Sequence, residues 1–135
     1  MSEQRFQAVL FDPAQHFEQL KSWYQGRNEV LTLDLLPQTG CVVPGKAAAF
    51  VYRTDSSVAW LEGIIAAPGL EKVERSLAVD AVVMGCVHEA KRLGFKMLVG
   101  YTTLEAVVKR GERLGFNLVS GGFSLMAYPL GGAEK

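Results

Sequence analysis

The stretch from Val58 to Tyr101 constrains this chain more than any other, because it reads as strand, long helix, strand. Ser76 to Leu93 carries the strongest helical signal. Val79, Val83, Cys86, Ala90 and Leu93 fall on one stripe at helical spacing. Leu77, Ala78, Val82 and Val87 are apolar as well, so most sides of this helix need cover. A sheet provides it. The flanking segments, Val58–Ala66 and Lys96–Tyr101, are then predicted to be adjacent parallel strands joined by a right-handed crossover. The continuous apolar middle of Lys96–Tyr101 suits a parallel strand buried on both faces.

The rest of the chain adds to that unit. Arg5–Phe11 reads as a first strand. Asp12 then caps a helix with Pro13 in its first position, where a missing N–H does no harm. Gln15 stands at capping-box distance from Asp12. Phe17, Leu20 and Tyr24 follow at helical spacing, and Gly26 stops the run. Asn28–Pro37 has no clear period. Cys41–Val43 and Ala47–Tyr52 are short strands around the turn Pro44–Gly45, and Thr54–Ser57 turns into Val58–Ala66. After Tyr101, Thr102 and Glu105 repeat the capping-box spacing. Leu104, Val107, Val108 and Leu114 form a helical face that ends at Gly115. Phe116–Ser120, Gly121–Gly122 and Phe123–Tyr128 read as a C-terminal hairpin. The fold class is therefore α/β, with a mixed central sheet and flanking helices.

Composition narrows the possible roles. The chain has 135 residues, 49% of them apolar, which is enough for one core. No linker or repeat divides it, so residues 1–135 read as a single domain with a frayed tail at 131–135. Lys+Arg and Asp+Glu each number 14. A balanced charge gives no bulk attraction to nucleic acid or to an anionic membrane. Cys41 and Cys86, the only cysteines, have neither disulfide-framework nor zinc spacing, and no metal site is expected. Met1–Arg5 is polar, and the apolar run Ala78–Val87 is too short to span a bilayer. These features point to the cytoplasm, or to a particle assembled in cytosol.

Two motifs resemble the GNAT N-acyltransferases. Members of that family often read Ala-x-Ile-Glu-x-x-x-Val-x-Pro in their fourth strand. Here the string is Ala59-Trp60-Leu61-Glu62-Gly63-Ile64-Ile65-Ala66-Ala67-Pro68. Leu114-Gly115-Phe116 matches the Leu-Gly-Phe that leaves the family's last helix, and the helix–Gly94–Phe95–strand spacing between the two also fits. The resemblance covers Thr39 to Leu130. It implies a GNAT-like fold in which the fourth strand splays from the next parallel strand. Ile64, Ile65 and Ala66 would then offer backbone amides to a pantetheine-like chain. Gly63 and Gly100 would suit close backbone approach.

The family's acyl-CoA pyrophosphate loop reads Arg/Gln-x-x-Gly-x-Gly/Ala. Its glycines let the backbone close on the anion at a helix start. Counted on from Pro68, it falls on Glu71-Lys72-Val73-Glu74-Arg75-Ser76. Glu71 stands for the basic or amide residue, Glu74 for the first glycine and Ser76 for the second small residue. A carboxylate about 4 Å from a phosphate costs roughly 4 kcal/mol at an effective dielectric near 20, or about a thousandfold in affinity. Lys72, Arg75 and Ser76 remain as candidate phosphate ligands. The plainer reading is that Ser76 caps the helix and the acids complement its dipole.

Catalytic positions are sparse too. The family's general-acid tyrosine matches Gly111, and Thr102–Thr103–Leu104 replaces the asparagine that opens its last helix. Tyr101 is a substitute only if it turns into the cleft. Glu62 matches the glutamate that deprotonates the amine in some members, and otherwise reads as a polar strand residue. His88 reads as structural or solvent-facing, His16 as a surface residue of the first helix, and Cys86 as inert on the buried stripe. Cys41 reads as open to exposure but unmarked as a nucleophile. Trp23, Tyr24 and Trp60 suit core or interface packing.

Two functions follow. One is a GNAT-fold protein without catalysis or cofactor that works through a protein partner or as a homo-oligomer. Its interface would bury at least about 1,000 Å² around an aromatic anchor such as Trp23 or Tyr24. Small degenerate GNAT-like proteins of tailed phages look similar, which implies a place in an assembly. The other is an active N-acyltransferase, with acetyl-CoA as co-substrate, Glu62 as base and Lys72 and Arg75 on the phosphates.

Overall fold

The computed structural model describes residues 6–122, 126–128 and 130. The chain packs as two compact units, Met1–Gly100 and Tyr101–Lys135. The first holds a five-stranded sheet: β1 (Val9–Leu10), β2 (Gly40–Val43), β3 (Ala47–Tyr52), β4 (Val58–Ala66) and β5 (Met97–Val99). The strands lie in sequence order. All pairs are antiparallel except β4–β5, which is parallel as expected.

Strand alternation sends successive side chains to opposite faces. Helix α1 (Pro13–Gln25) covers the face carrying Val42, Ala48, Phe50 and Ile65. Its Leu20 and Trp23 join Phe11 and Leu31 in that layer. Phe11 meets Phe50 edge-on, with ring centroids 5.0 Å apart. Helix α2 (Lys72–Arg92) covers the other face with Ala78, Val82, Val83, Cys86 and Ala90. Val83, Cys86 and Ala90 are buried as expected. Val79 is only partly covered, and Ala78 and Val82 complete the stripe in its place. Each fully buried leucine or phenylalanine on either face contributes roughly 1.5–3 kcal/mol.

Local chemistry sets the helix ends. Asp12 is extended at φ −127°, and its carboxylate accepts from the Ala14 N–H at 3.1 Å. The reciprocal half of the capping box comes from His16 rather than Gln15. Its Nδ1 accepts from the Asp12 N–H at 3.0 Å. His16 is therefore no surface residue: it is 6% exposed and lies against Phe11. At the far end Gly26 stays right-handed, and Asn28 takes the positive φ that reverses the chain. The irregular stretch beyond holds one 3-10 turn, Leu33–Leu35. Helix α2 ends as its sequence suggests: Gly94 at φ +95° lets Phe95 N–H return to the Ala90 carbonyl at 3.1 Å.

The second unit holds α3 (Glu105–Leu114), which Gly115 closes at φ +108°. Leu104 is its N-cap. Thr102 does not close a capping box with Glu105: its Oγ1 accepts from Leu104 N–H at 3.0 Å, one residue too early. The expected hairpin is not formed by its first arm, since Phe116–Ser120 lie in neither strand nor helix. Phe123–Leu125, on the second arm, and the tail 131–135 lie outside the described residues.

Candidate functional site

Strand β4 is hydrogen-bonded to β3 along most of its length, but to β5 only through Val58, Ala59 and Trp60. From Leu61 onward no described strand pairs with its outer edge. Strand β5 itself ends there, at Val99 opposite Trp60. Just beyond that end, a β-carbon on Gly100 would sit 3.1 Å from the Leu61 carbonyl oxygen, so the chain still runs close to β4 and glycine suits the approach.

A bulge lies in the same stretch. Ala48 is opposite Ile65 and Phe50 opposite Glu62, so three steps on β4 face two on β3. Gly63 supplies the positive φ, +72°, that the extra residue needs. A side chain there would also press on Phe50, 3.2 Å from its Cδ1. The bulge shifts the alternation, leaving Ile64 exposed while Ile65 is buried in the α1-side layer. Ala66 pairs with Ala47. These are the three residues whose amides the resemblance implicates.

Glu62, half-buried, shares its face with Phe50, Tyr52 and Trp60. Burial pushes the Tyr52 hydroxyl above the usual tyrosine range, and the charges of Glu62 and Tyr24 push the same way. Tyr24 is raised by burial too, against the opposing effect of Arg27, whose guanidinium lies 5.9 Å from its ring centroid. A carboxylate and two tyrosines from three elements thus come together. The sequence singled out Glu62 but not Tyr52, which lies within an otherwise apolar strand. Trp23 is 6% exposed and belongs to the core, so it is not a free anchor. Trp60, at 39%, is the exposed tryptophan.

The segment matching the pyrophosphate loop takes a different form. Helix α2 starts four residues earlier than the apolar stripe suggests, with Glu71 as its N-cap and no side-chain cap. Ser76 is inside the helix and does not cap it. Arg75 N–H already donates to the Glu71 carbonyl at 2.8 Å, so amides from Arg75 onward are taken up within the helix. Only those of Lys72, Val73 and Glu74 precede that first bond. Lys72 and Arg75 are exposed. Glu74 is held by Lys46, from the β2–β3 turn, in a partly buried ion pair. Lys46 also lies over the Phe6 ring, 5.2 Å from its centroid. Nothing in the local sequence marked Lys46, because its partner is 28 residues away.

Tyr101 opens the second unit and is 41% exposed. Gly111 lies in α3, where a β-carbon would approach Phe116 Cβ to 3.6 Å. His88 is exposed. Cys41, in contrast to its reading as an exposed thiol, is 3% exposed. Among the described residues, no cluster of three His, Cys, Asp or Glu side chains is placed to hold a metal ion. No described helix is long and apolar enough to cross a membrane.

No family model matches the sequence, and no curated protein matches it. Solved structures do. The aminoglycoside N-acetyltransferase AAC(6')-Iy, in complex with a bisubstrate analogue, aligns over 93% of this chain and 100% of its own, with TM-score 0.66 and 16% identity. Glucosamine-6-phosphate N-acetyltransferase from Arabidopsis thaliana aligns over 91% and 99%, with TM-score 0.65 and 11% identity. A transcriptional regulator from Bacillus halodurans aligns over 91% and 100%, with TM-score 0.63 and 14% identity. At these identities the likeness is one of fold. The chain has the mixed five-stranded α/β fold of the GNAT acetyltransferases.

Proposed function

We propose that this protein is a non-catalytic GNAT-fold protein that does not hold acyl-CoA and acts through protein contacts. One observation carries the reading: the segment matching the pyrophosphate loop is the first turn of α2, with Glu74 already ion-paired to Lys46. An incoming pyrophosphate would have to displace an internal carboxylate from its cation. It would also meet side chains where the family has glycine. Val30, Leu33, Leu35 and Trp60 stand exposed on the first unit and supply apolar surface for a partner or a second copy. The resemblance to small phage proteins extends the reading to a component of an assembly. Fold likeness alone does not decide activity, and one of the similar structures is a transcriptional regulator.

The test is calorimetric titration with acetyl-CoA at moderate salt. No saturable heat is expected. Micromolar binding would overturn the reading. It would favour an N-acyltransferase using Glu62 as base, which the open edge of β4 and the bulge at Gly63 support. Turnover by Glu62→Gln would be the next measurement.

A further inference from the structure

Cys41 and Cys86 take no part in the reading above, yet the fold brings them together. Cys41 stands on β2, on the face that α2 covers, and Cys86 stands in the buried stripe of α2. Gly85 makes the approach possible. A β-carbon there would lie 2.9 Å from Cys41 Sγ, so the helix backbone comes right up to the strand's thiol. Cys86, the next residue of α2, is buried in the same layer between helix and strand. Both are free thiols, 3% and 0% exposed. Their partnership is invisible in the sequence, where no cysteine spacing suggests it.

We propose that Cys41 and Cys86 form a site of reversible oxidation, at which a hydroperoxide converts the facing thiols into an intramolecular disulfide tying β2 to α2. Cys41 reacts first. The hydrogen bond from Cys86 holds its thiol below the usual range, against the opposing effects of burial and of Glu89. The same pairing, with burial, pushes Cys86 up. The Cys41 thiolate attacks the peroxide, the O–O bond breaks, and a sulfenic acid and an alkoxide (hydroxide from hydrogen peroxide) result. The Cys86 sulfur then attacks the Cys41 sulfur, and the displaced hydroxide leaves as water with the Cys86 proton. In total, two thiols and one hydroperoxide give one disulfide, one alcohol and one water. Access comes from the sheet edge. Cys41 pairs with Leu10 of β1, a strand of two residues, and local opening there exposes β2. The reaction is accordingly slow.

The experiment treats the whole protein with hydrogen peroxide under native conditions. Thiols are then counted after denaturation, with intact mass, non-reducing electrophoresis and a melting curve alongside. Expected are loss of both thiols, a mass lower by about 2 Da, a monomeric band and reversal by dithiothreitol. The melting midpoint should rise by about 5 °C, since the bond restricts the unfolded chain. Cys86→Ala should instead leave a Cys41 sulfenic acid that a dimedone probe traps, with no rise in midpoint. If that variant fails to fold, Cys41→Ala serves, and it should show no disulfide and no sulfenic acid at the buried Cys86. The proposal is overturned if both native thiols stay free under conditions that oxidise the denatured chain, if only intermolecular disulfides form, or if the internal disulfide lowers the midpoint.

Discussion

Strand β4 and the first turn of α2 follow one another in sequence, and the GNAT resemblance implies that both would hold one ligand. They have fared differently here. On β4 the end of pairing with β5 after Trp60, the bulge at Gly63 and the glutamate at 62 are all present. On α2 the loop has become helix, and Lys46 and Glu74 close on each other across its first turn. The strand features are made by backbone, and many sequences can maintain them. The helix feature depends on bare amides and a free cation, which a few substitutions remove. On the function proposed above, the strand half is a slot without a phosphate clamp.

The largest expected effect tests the support common to both regions. Helix α2 packs on β2, β3 and β4, and Val83 lies in its buried stripe. Val83→Asp puts an unpaired carboxylate into that layer and should destabilise the protein by roughly 3–5 kcal/mol. A denaturant melt unchanged from the parent would mean that α2 does not support the sheet.

Next comes the bulge. Gly63→Val would force a β-branched residue to φ +72° and press it on Phe50. A loss of roughly 1–3 kcal/mol is expected. Stability equal to the parent's would show that β4 has another register available, and the strand half would lose its claim to be retained.

The helix half is tested by restoring it. Glu71→Arg, Glu74→Gly and Ser76→Gly together should raise acetyl-CoA affinity at least about tenfold over the parent. Two gains combine: the carboxylates leave, and Lys46 is released from Glu74 toward the helix start. Because Ser76 lies inside the helix, its change to glycine should lower stability by roughly 0.5–1 kcal/mol, more than replacing a cap would. Unchanged affinity in a folded variant would mean that the backbone course differs from the family's, and not only its side chains.

How much of this was legible follows from the distance between partners. The Asp12 cap, the stop at Gly94 and the strand–helix–strand unit are local, and local pattern found them. The apolar period places the start of α2 too late because Lys72–Arg75 carries none of it, although charged residues are good helix formers. In sequence His16 reads as a surface residue because its partner is a backbone amide and its cover comes from Phe11. Lys46–Glu74, Cys41–Cys86 and Tyr52–Glu62 are all tertiary. Each joins elements that only the folded sheet brings together. Of these six side chains, family motifs mark only Glu62 and Glu74.

The smallest effect concerns the Tyr52–Glu62 pair and sharpens the strand half. Tyr52 is raised first by burial, then by Glu62, then by Tyr24. A tyrosine whose folded value lies above its unfolded one, about 10, contributes stability that is fully present below that pH. The contribution is lost as pH rises through the folded value, because the unfolded chain gives up its proton first. Stability should therefore fall above about pH 10, and Tyr52→Phe should flatten part of that fall. Glu62→Gln removes the second cause and leaves the first. Tyrosinate absorbance should then show Tyr52 ionising at lower pH than in the parent, but still above a free tyrosine. The Phe variant identifies which titration belongs to Tyr52. A profile indifferent to Glu62→Gln would separate the two side chains and remove Tyr52 from the site. A profile that falls all the way to the free value would make the charge, and not burial, the dominant cause, and would place Glu62 nearer the hydroxyl than the half-buried face of β4 suggests.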